Sequence, residues 1–295
     1  MTGLLRVAVC TNRLPDEVAE SLAALRSQVP PGALALVTSG LSEAEVEAHR
    51  SAFEETILVE PREGLSHARN RALAWCEADD VIAFVDDDAV VDDGWYEALG
   101  HHWETAPADI ACIGGPIRPR WPHEPPSWVS PPILPALTLL DFGEEARDLD
   151  PTISNVYGAN ISFRLAPLRE AGGFDPGFGH SGSRVFFSEE DEAQRALAKL
   201  GYRTRYVPDA GVWHVIPEER LTRGSFIRRR FQYGRSLGVR RARTKRLALR
   251  QMLSSSAGTL VAALQGRDAL FMERAVRASE NAGVLYGSTS PRRIA

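Results

Sequence analysis

The chain has 295 residues, of which 44% are apolar and 25% charged, proportions of a globular protein that fits one large α/β domain with an appendage. No run of 18 apolar residues argues for a membrane-spanning helix, Met1–Cys10 lacks an apolar leader, and three scattered cysteines without a CxxC pair exclude a disulfide framework and a zinc site and point to the cytoplasm. The net charge of −5 is unevenly split: Arg220–Arg250 holds twelve Arg or Lys and no acid, which leaves −17 on the rest, an acidic body suited to cations beside a basic segment suited to phosphate, lipid or nucleic acid.

In chain order, Leu4–Cys10 is an apolar run that predicts a first strand. Asp16–Ser27 follows Pro15 with Val18, Leu22 and Leu25 at helical spacing. Ala33–Thr38 and Thr56–Val59 read as strands with a helix, Ser42–Phe53, between them. Ser66–Glu77 is an amphipathic helix that feeds the run Val81–Val85. Gly94–Glu104 is another helix and Asp109–Gly114 another strand. This βαβαβ rhythm predicts a mostly parallel sheet with helices on both faces.

Beyond Gly114 the texture changes. Gly115–Pro135 holds eight prolines and two tryptophans, Trp121 and Trp128, which either stack on a sugar or base face or cap the core. Ser188–Glu192 opens a further helix with four consecutive acids, Glu189, Glu190, Asp191 and Glu192, in its first turn, where the helix dipole favours them. Ala257–Leu264 and Ala269–Ala278 read as two helices broken near Gly266, and Ser288–Arg293 as a frayed tail.

The most informative segment is Val81-Ile82-Ala83-Phe84-Val85-Asp86-Asp87-Asp88. Five apolar residues predict a strand buried on both faces, and open α/β sheets place ligands at the carboxyl ends of such strands. Three adjacent carboxylates repel one another there. A divalent cation such as Mg²⁺ or Mn²⁺, commonly held by one or two carboxylates plus substrate phosphates, offsets that cost; a solvated acidic turn is the plainer alternative. The first strand is followed by Cys10-Thr11-Asn12-Arg13, without the glycines of a dinucleotide-binding turn, and no phosphate-binding P-loop occurs anywhere. Any bound phosphate therefore falls to a metal and to arginines.

Six short motifs in order carry a resemblance over roughly residues 4 to 240. Gly64-Leu65-Ser66-His67-Ala68-Arg69-Asn70, Phe84-Val85-Asp86-Asp87-Asp88, Gly158-Ala159-Asn160, Gly172-Gly173-Phe174-Asp175, Glu190-Asp191 and Trp213-His214 resemble the successive motifs of family 2 glycosyltransferases. The resemblance implies the GT-A fold for residues 1–240, with a helical extension over 241–295. It implies transfer of a sugar from a nucleotide-diphosphate donor to a hydroxyl acceptor, with inversion at the anomeric carbon. Asp86 and Asp88 then resemble the D-x-D pair that holds Mn²⁺ or Mg²⁺ against the diphosphate, with His214 as a third ligand and Asp87 turned to the sheet edge or the ribose. Thr11, Arg13, Arg69 and Asn70 fall on the donor side, and Trp121, Trp128 and Asn160 on the acceptor side. Asp191 is favoured over Glu190 and Glu189 as the general base that takes the acceptor's proton.

One departure bears on the donor. The second strand of the family ends in an aspartate toward the base, whereas this one ends Leu36-Val37-Thr38-Ser39-Gly40. A hydroxyl of Thr38 or Ser39 is the available substitute, so a UDP-sugar stands beside TDP- and GDP-sugars. A metal-dependent nucleotidyltransferase, and a noncatalytic binder of nucleic acid or membrane through the arginine-rich stretch, are the competing readings. In that stretch Phe226, Ile227, Phe231 and Tyr233 form one apolar helix face. Its expected partners rank as intramolecular or subunit contact, including a homodimer, then an anionic inner membrane surface, with nucleic acid a distant third.

Overall fold

The computed structural model describes residues 3–13, 18–50, 55–151, 153–177, 180–181, 184–185, 189–240 and 244–289. Its strands are β1 (Leu5–Thr11), β2 (Leu34–Ser39), β3 (Thr56–Glu60), β4 (Val81–Asp86), β5 (Ala89–Val91), β6 (Ile110–Gly114), β7 (Ile117–Arg120), β8 (Arg147–Leu149), β9 (Asn160–Arg164), β10 (His180–Ser181), β11 (Arg184–Val185), β12 (Arg203–Tyr206) and β13 (Val212–Val215). The helices are α1 (Ala19–Arg26), α2 (Glu43–Glu47), α3 (Leu65–Trp75), α4 (Trp95–Thr105), α5 (Leu165–Glu170), α6 (Glu189–Lys199), α7 (Arg223–Val239), α8 (Lys245–Leu264) and α9 (Asp268–Gly287).

The chain groups into two compact units. The first comprises residues 1–119, 140–183 and 189–215, and the second residues 120–139, 184–188 and 216–295. The first unit is built on an eight-stranded sheet in the order β3-β2-β1-β4-β9-β6-β12-β8. Neighbours β3, β2, β1 and β4 run parallel, so Thr11, Thr38, Glu60 and Asp86 finish at one edge. The sheet is mostly parallel as the rhythm predicts, with a difference at its centre: β9 runs antiparallel to both β4 and β6. That reversal sets Asn160, the first residue of β9, opposite Val85, so a second chain segment enters beside the acidic end of β4. All six residues of β2 and the first five of β4 are buried, and Asp86 is the first of β4 to reach solvent. A smaller sheet, β5-β13-β7, folds the segment after the acids back against β13.

The elements before Gly114 lie within a few residues of their predicted spans. Helix α2 is shorter than Ser42–Phe53; a Ser42–Glu45 capping box starts it, and residues 51–54 lie outside the described ones, as do 14–17 and 290–295.

In the second unit the proline-rich segment carries a 3-10 turn over Pro131–Leu137, with Ile133 and Leu137 buried. It is pinned to helices: Arg229 Nε donates to the Ala136 carbonyl at 2.6 Å, and Ser130 Oγ to Glu273 Oε1 at 2.8 Å. Helices α7 and α9 pack closely because glycines four residues apart face each other. A Cβ on Gly234 would stand 1.9 Å from the Glu280 carbonyl oxygen, and one on Gly283 would stand 2.1 Å from that of Phe231. The basic helix spends much of its charge inside this unit. Arg230 pairs with Glu280 and stacks 4.8 Å over Tyr233, and Arg223 meets Asp268 at 2.9 Å. The two C-terminal helices exceed their predicted lengths but break at Gly266 as expected, where φ is +64°.

Candidate active site

The predicted site residues of the first unit gather at the carboxyl edge of its sheet, and Arg69 is their hub. Helix α3 carries it in from between β3 and β4, and only 2% of its surface remains exposed. Its Nη1 donates to Glu189 Oε1 at 2.8 Å and lies 3.9 Å from Glu190 Oε2. Its Nη2 lies 3.9 Å from Asp86 Oδ1 and 3.4 Å from the Gly158 carbonyl oxygen. The guanidinium is also walled by Phe84 and Phe174, each ring centroid 5.4 Å away. Burial disfavours this cation, but Glu189, Glu190 and Asp86 outweigh burial and hold its pKa above the ordinary arginine value. Gly158 leaves room for it, since a Cβ there would stand 2.3 Å from Arg69 Nη2. The glycine of the Gly158-Ala159-Asn160 motif thus has a steric reason.

The acid triplet fans out to three partners. Asp86 faces Arg69 and keeps 32% of its side chain exposed. Burial, then the Asp88 carboxylate, push its pKa up to about 6 against the pull of Arg69. Asp87 turns to the loop after β1, where Thr11 Oγ1 donates to it at 2.6 Å and Arg13 Nε lies 3.8 Å away. Asp88 Oδ1 is 3.1 Å from Nε2 of the buried His214, because Val215 N donates to the Asp88 carbonyl and fixes β13 beside it. The buried Ser21 of α1 holds the turn, donating to the carbonyls of Asp86 and Ala89.

The second acidic run lies on α6, where successive side chains point about 100° apart. Glu189 and Asp191 are each 3% exposed and committed: the first to Arg69, the second as acceptor from Asn155 Nδ2 at 2.8 Å. Glu190 is the most open of the three, at 15%. Burial first, then Glu189 and Asp191, raise its pKa to about 8, despite Arg69. Gln194, one turn on, locks the helix by exchanging two hydrogen bonds with the Val156 backbone.

The remaining predicted residues divide. Asn70 gives both ends of its amide to the Phe174 backbone, at 2.7 and 3.0 Å, and thereby places one aromatic wall of Arg69. Asn160 accepts from Trp95 Nε1 and donates to the carbonyls of Pro116 and Ala210, so it ties β9 to the turns around it. Ser39 is committed to the turn at Gly64, whereas the buried Thr38 hydroxyl has no hydrogen-bond partner. The tryptophans belong to the second unit: Trp128 is buried edge-on against Phe226 at 5.2 Å, and Trp121 is partly exposed. Asn155, Gln194 and Ser21 support this arrangement from outside the motifs, whereas Phe84 and Phe174 lie within two of them and Glu189 stands beside a third.

Among the described residues no three His, Cys, Asp or Glu side chains converge as a ready-made metal cage. Asp86, Asp88 and His214 nonetheless fit a divalent ion that completes its shell with phosphate oxygens. Burial and the neighbouring Asp88 carboxylate already resist ionisation of Asp86, and a histidine lies against Asp88.

Residues 7–171 match the model of glycosyl transferase family 2. A glucosyl-dolichyl phosphate glucuronosyltransferase of Haloferax volcanii is 31% identical over 179 residues, 60% of this chain and 55% of that protein. A pre-mycofactocin glycosyltransferase of Mycobacterium tuberculosis is 34% identical over 182 residues, 59% of this chain and 34% of that protein. The chain therefore spans between a third and somewhat over half of the length of these relatives. The fold is that of the crystal structure of GalNAc-T7 with UDP, GalNAc and Mn²⁺, at a TM-score of 0.55 and 15% identity over 80% of this chain and 48% of that one. A GT-A sheet whose matched segment runs from β1 to the end of α5 places the chain in glycosyl transferase family 2.

Proposed function

We propose that the chain is a metal-dependent, inverting glycosyltransferase that moves a sugar from a nucleotide-diphosphate donor, a UDP-sugar first, to a hydroxyl acceptor. The observation that carries this reading is Arg69, a buried cation shared by the acids at the end of β4 and the acids of α6. A site that loads a diphosphate and abstracts a proton needs carboxylates of two kinds, and one arginine binds both kinds together here. The family match, and two relatives named for glycosyl transfer, support the reaction class.

In this reading Asp86 and Asp88, with His214 beside Asp88, hold Mg²⁺ or Mn²⁺, which would supply Lewis-acid stabilisation of the departing diphosphate. Asp87 orders Thr11 and Arg13 for the nucleoside end of the donor, and the unpartnered Thr38 hydroxyl stands on the neighbouring strand. Asn70 and Asn160 act by positioning: one sets the wall of Arg69, the other the entry of β9. Trp128 supports its segment from the core of the second unit, to which Trp121 also belongs.

We assign the proton acceptor to Glu190 in preference to Asp191. Asp191 already accepts from Asn155, whereas Glu190 is the more exposed, and its raised pKa suits a base near neutral pH. The acceptor oxygen attacks the anomeric carbon, and its proton passes to Glu190. The bond from that carbon to the diphosphate oxygen breaks, with the electron pair leaving on the diphosphate. A panel of UDP-, TDP- and GDP-sugars, assayed for donor hydrolysis with Mn²⁺ and with EDTA, tests this. Turnover of one donor class that EDTA abolishes is expected; turnover undiminished by EDTA would remove the metal role.

A further inference from the structure

Helix α8 is built with its bulk on the outside. The positions it buries, Ala248, Ser255 and Ala262, recur every seven residues and are small, and Gly258 lies against the stem of Arg274 on α9. Its large apolar residues stand on the opposite face: Leu249, Leu253, Leu260 and Leu264 follow at helical spacing, with 59%, 64% and 81% of the last three exposed. At 1.5 Å per residue this stripe runs about 22 Å. A helix at the surface of a globular unit ordinarily buries such a face, and exposed apolar stripes of this kind mark contact surfaces.

Charge selects what covers it. Lys245, Arg246 and Arg250 are exposed at the amino end of the stripe, and the chain has no carboxylate from Arg220 to Arg267. A second copy of this helix would bring the same cations and no acid to meet them. The basic face expected on α7 does not serve, because Phe226 and Leu237 are buried and its glycines lie against α9.

We propose that the outer face of α8 docks on an anionic lipid surface, with the leucine stripe entering the headgroup boundary and the arginine stems reaching along it to lipid phosphates. The docking is a property of the second unit and holds whatever the first unit transfers.

The test uses the whole chain in flotation with vesicles of phosphatidylcholine alone and of phosphatidylcholine with about 30% phosphatidylglycerol, at about 0.15 M salt. Recovery with the anionic vesicles alone is expected. Leu253→Gln/Leu260→Gln should lower the bound fraction at least about fivefold, and Arg246→Gln/Arg250→Gln should lower it while abolishing its salt dependence. Both variants change exposed side chains, and an unchanged melting temperature verifies their folding. No flotation of the wild type, or flotation that the leucine pair does not alter, would overturn the proposal. So would a dimer in sedimentation that Leu253→Gln/Leu260→Gln converts to monomer, since the stripe would then belong to a second copy.

Discussion

Two acidic runs, of three and of four consecutive residues, meet at Arg69, and they differ in how the backbone disperses them. Asp86, Asp87 and Asp88 lie at a strand end and turn, which sends each to a separate partner: Arg69, the Thr11–Arg13 loop and His214. Glu189, Glu190 and Asp191 lie on a helix, which sends the first and third inward to fixed partners and leaves Glu190 with a raised pKa. In each run one carboxyl is left holding its proton more tightly than usual, Asp86 up to about 6 and Glu190 up to about 8. The lesson is that one buried cation cannot satisfy two acidic runs, and the shortfall falls where a reaction would use it.

The comparison breaks most severely at its shared element. Arg69→Met removes the cation and leaves Glu189 buried without it, so the variant should lose roughly 3–5 kcal/mol of stability in urea unfolding, and its transfer activity should disappear with it. A loss below about 1 kcal/mol would mean that the two runs are held independently.

Separating the α6 run from the β4 run comes next. Glu190→Gln should cut turnover by about 10²–10⁴ with donor KM little changed, whereas Asp191→Asn should cost far less. The reverse ranking would return the base to Asp191. On the β4 side, His214→Ala takes away the group beside Asp88, and Mn²⁺ affinity of the folded variant measured by titration calorimetry should fall about 10–100-fold. The smallest effect is expected at Gly158→Ala, which crowds Arg69 without removing it; roughly 1–3 kcal/mol of stability should be lost, and an unchanged midpoint would show that the guanidinium has room to move.

What the sequence disclosed follows a physical rule. Val81–Val85 stops abruptly in acids, and helices such as α3 repeat their apolar residues, so local periodicity revealed β1 to β4 and the Asp86–Asp88 cluster. The pairing of Arg69 with Glu189 spans 120 residues and leaves no periodic trace. The three-residue strand β5 is too short for alternation to announce it. The register within Glu189-Glu190-Asp191 depends on which side of α6 faces Arg69, and that is set by Asn155 and Val156 of a distant loop, which hold Asp191 and Gln194. Trp128 illustrates a choice that composition left open: of the two roles available to a tryptophan in a proline-rich stretch, stacking on a ligand or capping a core, its burial in a helical unit matches the second.

The central claim, that Glu190 collects the proton, is tested most directly by its own titration. Its pKa is raised, and the base works only when deprotonated, so activity must climb with pH through the raised value. At saturating Mn²⁺, kcat/KM should rise about tenfold per pH unit below about 8 and level off above it, with that limb absent from the residual activity of Glu190→Gln. A wild-type profile flat from about pH 6 to 9, or the same limb retained in Glu190→Gln, would contradict it.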